Sequence, residues 1–310
     1  MPKNRILLPV DTSDHSMKSV QYVAAVFSAS QTEVVLFHIY SQVEDFFSSL
    51  DISLDSHNFK MNDLLKTHQQ SMEKFMDKAR AILIASGYSE SDITVKMQPQ
   101  NMPGLAEDIF NESKYNYHAV VVGRTGISQL NEFMGNTASS LINFVKHIPL
   151  IIVDDIPKIN KVLIAYDGSD NAERAVQCVG NLLANTSYDV LLYHVIKSLT
   201  HSIIGLIEIV PSQSFEKEYY DKQRETIFKK LEQASSELIE KGIGKGQLSK
   251  EIEINVKSRA QVILKKSEKE GYGTIVVGRK GDSFAETLGI GTVGRKITGQ
   301  ASNRTVWIVN

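Results

Sequence analysis

Residues 161–170, Lys161-Val-Leu-Ile-Ala-Tyr-Asp167-Gly-Ser-Asp170, repeat the pattern of residues 5–14, Arg5-Ile-Leu-Leu-Pro-Val-Asp11-Thr-Ser-Asp14, at a shift of 156 positions. In each copy a basic residue opens an apolar run that closes on an aspartate. The shift persists downstream. It sets His38, in the run from Val34 to Ile39, on His194, in the run from Val190 to Val195, and Gly135 on Gly291. At 155 positions, Val120-Val-Val-Gly123-Arg-Thr-Gly126 meets Ile275-Val-Val-Gly278-Arg-Lys-Gly281. A shift held over most of the chain is a tandem duplication. It puts the linker near Asp154 to Asn160, and 310 residues give each copy ample chain for its own core.

Within a copy, short apolar runs alternate with helical patterns. Ile6–Val10, Val34–Ile39, Ile93–Met97, Ala119–Val122 and Leu150–Val153 suit strands covered on both faces. Between them, Asp14–Ser28, Gly104–Ser113 and Thr137–Lys146 read as helices, as does a long segment with Leu65, Met72, Met76, Ala79 and Leu83 near one face. The second copy repeats the plan, its long helix carrying Tyr220, Ile227, Leu231, Ala234 and Leu238. Strand–helix alternation with continuous apolar strands predicts two doubly wound, Rossmann-like α/β domains, each built on a parallel sheet. The least periodic connections, Ser41–Asn58 and Lys197–Ser212, are candidates for flaps or partner surfaces.

The composition, 42% hydrophobic and 23% charged, is that of an ordinary folded protein. The single cysteine, Cys178, excludes an internal disulfide and a cysteine-based zinc site. No apolar run reaches the ~18 residues of a membrane span, and no apolar leader follows Met1-Pro2-Lys3-Asn4, so a cytoplasmic location is expected. The net charge of −2 hides a division, with residues 1–156 summing to −6 and residues 157–310 to +4.

The most informative constellation is Gly278-Arg-Lys-Gly281, nine residues, then Gly291-Thr292 opening a helix. Taken singly, each glycine reads as a strand end, a turn or a helix start. Taken in this order, they form a phosphate cradle, because glycines let backbone amides approach an anion and a helix N-terminus adds unpaired N–H groups. Thr292 adds a hydroxyl, and Arg279, Lys280, Arg295 and Lys296 lie close in sequence. In the first copy Gly123-Arg-Thr-Gly126 is present, but only eight residues precede Gly135, and Asn136 follows it with Thr137 one place later.

This pattern, with an aspartate closing the first strand, resembles the ATP-binding signature of the universal stress protein family, over nearly the whole chain and twice. The resemblance implies a five-stranded parallel sheet of order 3-2-1-4-5 in each domain and an internal pseudo-dimer of domains 1–154 and 161–310. A homodimer of such chains is compatible with it. It further implies adenine against Ala165, Tyr166 and Val195, with ribose and phosphates meeting Asp167, Gly278, Arg279, Gly281, Gly291, Thr292 and Val293. A Mg²⁺ bridging the phosphates suits an Asp167 carboxylate, although Asp167 reads equally as a turn residue, with Asp170 and Glu173 as a capping-box-like pair. The matched positions of the first copy are Pro9, Val10, Asp11, Ile39, Gly123, Gly126, Gly135, Asn136 and Thr137. The shortened loop there predicts a degenerate, weaker site.

The resulting expectation is a stress-response binding or regulatory module for ATP, or ADP or AMP, acting mainly through the C-terminal domain. A slow ATPase or nucleotidyl-transfer enzyme using the same pocket ranks below it, because no dedicated general base accompanies the loop. A ligand-free scaffold for a protein partner is the third reading. Other signals are structural. Lys241-Gly-Ile-Gly-Lys-Gly246 reads as a helix C-cap and turn. His38 and His194 read as structural or pocket-wall groups and Cys178 as a buried hydrophobe. Trp307 reads as packing, without the basic and aromatic surface a nucleic-acid binder would show.

Overall fold

The computed structural model describes residues 2–40, 57–124, 136–199, 212–279 and 290–310. The chain divides into two units, Met1–Asp154 and Asp155–Asn310. In the first, strands β1 (Asn4–Pro9), β2 (Thr32–Tyr40), β3 (Ile93–Pro99), β4 (Ala119–Gly123) and β5 (Leu150–Val153) alternate with helices α1 (Asp14–Val26), α2 (His57–Ala85), α3 (Leu105–Ser113) and α4 (Asn136–Phe144). In the second, β6 (Lys161–Ala165), β7 (Asp189–Lys197), β8 (Leu248–Val256), β9 (Thr274–Gly278) and β10 (Thr305–Val309) alternate with α5 (Asp170–Leu183), α6 (Gln213–Glu240), α7 (Arg259–Glu270) and α8 (Thr292–Gln300).

All pairings within each unit are parallel. β1 lies between β2 and β4, β2 pairs with β3, and β4 with β5, giving the order 3-2-1-4-5. The second unit repeats it: β6 lies between β7 and β9, with β8 and β10 outermost. Right-handed crossovers place α1 and α2 on one face and α3 and α4 on the other, because the winding reverses after β3. The helices touch in those pairs, and their equivalents α5 with α6 and α7 with α8 do the same.

The apolar runs form the sheets because both faces are covered. Ile6, Leu7, Leu8, Val34 and Leu36 are fully buried, as are Val162, Leu163, Ile164, Val190 and Leu191. Met72, Met76, Ala79 and Leu83 line the buried face of α2, and Tyr220, Ile227, Leu231, Ala234 and Leu238 that of α6. Trp307 and Cys178 are buried, and Gly242, at φ +105°, turns the chain after α6. Most of Ser41–Asn58 and of Lys197–Ser212 lies outside the described residues, as do Gly126, Gly135, Lys280 and Gly281.

One close approach sets the position of the first helix in each unit. A Cβ on Gly123, the last residue of β4, would lie 2.9 Å from the His15 carbonyl oxygen and Cβ of α1. A Cβ on Gly278, the last residue of β9, would lie 2.9 Å from the Asn171 carbonyl carbon and Cβ of α5. These glycines therefore have a packing role in addition to any role toward a ligand. Gly278→Ala and Gly123→Ala are expected to destabilise their units by about 1–3 kcal/mol, since backbone cannot yield as a flexible side chain can. Gly246, with no atom within 4 Å of an added Cβ, is the control, and denaturant unfolding midpoints read all three.

Candidate functional site

The winding reverses between β6 and β9, so the connections leaving their carboxyl ends diverge and leave a crevice. At the end of β6 the pairing continues one residue further, through a hydrogen bond from Tyr166 N–H to the Tyr193 carbonyl at 3.0 Å. Asp167 then turns the chain, its Oδ1 accepting from Ser169 N–H at 3.1 Å and Ser169 Oγ at 2.6 Å. Gly168 follows at φ +75°, a conformation that favours glycine. Lys230 of α6 donates to the Gly168 carbonyl at 2.5 Å, tying the turn to the long helix. Ser169 caps α5 by accepting from Ala172 N–H at 3.3 Å. This corrects the capping-box expectation: the cap is Ser169 rather than Asp170, and Glu173 instead accepts from the Tyr166 hydroxyl. Burial and that carboxylate push the Tyr166 phenol well above its ordinary pKa. Asp167 is exposed, and its Oδ2 has no hydrogen-bond partner among the described residues.

His194 stands at the end of β7. Its Nδ1 lies 2.7 Å from the Tyr166 carbonyl, which can only accept, so Nδ1 carries the proton and Nε2 is left as an acceptor. Burial lowers the His194 pKa most, the Arg259 charge lowers it further, and the Tyr166 carbonyl and Asp167 oppose them. The ring is therefore neutral at pH 7. His38 makes the matching contact in the first unit, with Nδ1 3.0 Å from the Val10 carbonyl.

At the other wall, α8 begins at Thr292 with Gly291 as its N-cap and no side-chain cap. The Gly291 amide is already committed to the Arg279 carbonyl at 2.6 Å. The donors a helix start leaves without intrahelical partners are thus those of Thr292, Val293 and Gly294. A cleft of about 390 Å³ opens between these walls, lined by Ala165, Tyr166, Asp167, Val195, Gly278, Gly291, Thr292 and Val293. Arg279 is not among the lining residues. It is 4% exposed, its Nε donates to Asn310 Oδ1, and burial lowers its pKa to about 10. Sequence reasoning missed Tyr219 and Gln223, one turn apart on α6, together with Arg259 and Gly294, which also line the cleft.

In the first unit Pro9, Val10, Asp11, Ile39, Gly123 and Thr137 line a cleft of about 100 Å³. Asp11 Oδ1 accepts from Ser13 N–H at 2.9 Å, from Ser16 Oγ at 2.7 Å and from Ser13 Oγ. The residue matching Ser16 is Ala172, which has no hydroxyl, so Asp167 carries a lighter hydrogen-bond load than Asp11. Among the described residues, no group of three or more His, Cys, Asp or Glu could hold a metal ion, and no helix is long and apolar enough to cross a membrane.

Fold and clefts together define a tandem doubly wound α/β protein with a crevice at each topological switch point. The model of the universal stress protein family matches residues 3–154 and again residues 158–310. The chain belongs to the universal stress protein family. Universal stress protein YxiE of Bacillus subtilis is 29% identical over 153 residues, which are 48% of this chain and 98% of that one. The crystal structure of a universal stress protein from Archaeoglobus fulgidus is 19% identical, covers 99% of this chain and 96% of its own, and has a TM-score of 0.60.

A depressed histidine pKa opposes protonation of the folded state. The stability that neutral His194 contributes is present above the unfolded value of about 6.5 and is lost as pH falls from there toward the lower folded value. His194→Asn, which retains a donor for the Tyr166 carbonyl but does not titrate, is expected to lose less stability than the wild type between pH 7 and pH 5. Urea unfolding of both proteins across that range checks it.

Proposed function

We propose that the second unit binds ATP or a related adenine nucleotide in the 390 Å³ cleft and that the protein acts as a nucleotide-dependent binding or regulatory module of a cytoplasmic stress response. The observation that carries this reading is the convergence on one cleft of the exposed Asp167 turn, the end of β7 at Val195 and the uncapped start of α8. Phosphates fit the Thr292–Gly294 amides, which are strengthened by the positive end of the helix dipole. The base fits the end lined by Ala165 and Val195.

An exposed Asp167 with one partnered oxygen suits a Mg²⁺ held mainly by phosphate oxygens and water. The first unit binds nucleotide more weakly. Its cleft is about 100 Å³, Asp11 is held by two serines, and its loop is one residue shorter.

Gly291→Asp tests the assignment without disturbing the fold. Gly291 sits at φ −64° and ψ 161°, where any residue fits, and aspartate is a favoured N-cap. The variant is expected to keep or raise the melting temperature while losing at least tenfold in ADP and ATP affinity, because a carboxylate would face the phosphates. Calorimetric titration measures the affinity, and an unchanged dissociation constant would remove the phosphate site from α8.

A further inference from the structure

Arg259 is the first residue of α7, directly after its N-cap Ser258. A cation there is set against the positive end of the helix dipole, where acidic residues are favoured. Its guanidinium makes no ion pair among the described residues, and it donates from Nε to the Val195 carbonyl at 3.1 Å, inside the cleft of the second unit. The first residue of the matching helix α3 is Leu105, which lines the smaller cleft of the first unit. The two copies therefore diverge from an apolar to a cationic group at one point of the cleft wall, at an electrostatic cost to the helix.

The hydrogen bond places two kinds of group side by side. The Val195 carbonyl has a second lone pair available, and the guanidinium has four further N–H donors, for which no hydrogen-bond acceptor appears among the described residues. The wall thus offers an acceptor next to a fixed donor. Adenine carries the complement on either of its edges, a 6-amino donor beside a ring-nitrogen acceptor, N7 on one edge and N1 on the other. Guanine places its O6 acceptor where adenine has the donor, opposite a carbonyl.

We propose that Arg259 is a specificity-determining residue of the second unit, donating to a ring nitrogen of adenine while the Val195 carbonyl accepts from the 6-amino group. The inference rests on the nucleotide reading above and adds the residue that selects the base. It gives the placement of a cation at the start of α7 a physical reason, since the dipole penalty is offset when the guanidinium is engaged by a ligand.

The test is a double cycle in the full chain: ADP, 1-deaza-ADP and 7-deaza-ADP against the wild type and Arg259→Leu, the residue that α3 carries. Arg259→Lys is added to retain the charge without the fork. In the wild type one deaza analogue is expected to bind about tenfold more weakly than ADP. In Arg259→Leu that difference disappears, and ADP falls to the affinity of the analogue. Equal losses for ADP and both analogues in the variant would instead assign Arg259 to the phosphates. A gain in ADP affinity would make it a plug. Either result overturns the proposal. A wild type that binds none of the three removes the nucleotide reading itself, and melting temperatures verify that each variant is folded.

Discussion

The contact between a strand-end glycine and the backbone of the first helix is the constraint on which both clefts depend. Gly278 against Asn171, and Gly123 against His15, bring the helix start to 2.9 Å from a Cβ position. Because the helix is that close, the turn before it must be tight. In the second unit this is achieved by an aspartate that bonds two residues ahead and a glycine at φ +75°. The same approach sets Asp167 beside the end of β9, where the connection to α8 departs. The geometry that packs the sheet is therefore also the geometry that exposes a carboxylate and a helix N-terminus to one crevice.

Two copies of one backbone carry different chemistry because a few side chains change what that crevice contains. Ser16 anchors Asp11 in the first unit, whereas Ala172 leaves Asp167 with Ser169 alone. The divergence extends beyond the clefts. In the first unit, Lys96 on β3 pairs with Glu112 on α3 and lies over Phe37. In the second, Lys266 on α7 pairs with Glu251 on β8 and lies over Tyr193. An ammonium group reaches the matched aromatic ring from opposite elements, so the arrangement of charge is preserved although the residues are exchanged.

Legibility from the sequence followed the range of the interaction. Strands buried on both faces are continuous apolar runs, and the long helices show their buried stripe directly, as with Ile227, Leu231, Ala234 and Leu238. Strand order is non-local, and it came from the family resemblance rather than from periodicity. At the site, Ala165 and Val195 came from the family resemblance, whereas Thr292 could be placed by the spacing of the glycine loop. Arg259 could not, because its position depends on α7 starting beside the end of β7, which is far from it in sequence. A cation immediately after an N-cap serine was the signal available. Arg279 was misleading for the converse reason: it adjoins the loop in sequence but turns inward to Asn310.

That inward turn changes the meaning of the charge division between the halves. A surplus of +4 in residues 157–310 creates no field at the cleft unless the cations lie within about a Debye length, 8–10 Å at physiological salt, and face it. Arg279 is buried away from the lining, and Arg295 and Lys296 are exposed on α8 without lining the cleft. Among the described residues, the donors that this cleft leaves open to an anion are therefore the uncapped amides of α8. Fixed dipoles act at hydrogen-bond range, where salt screens least. An anion preference built this way depends on a helix terminus staying bare, and it is indifferent to the net charge of the domain that carries it.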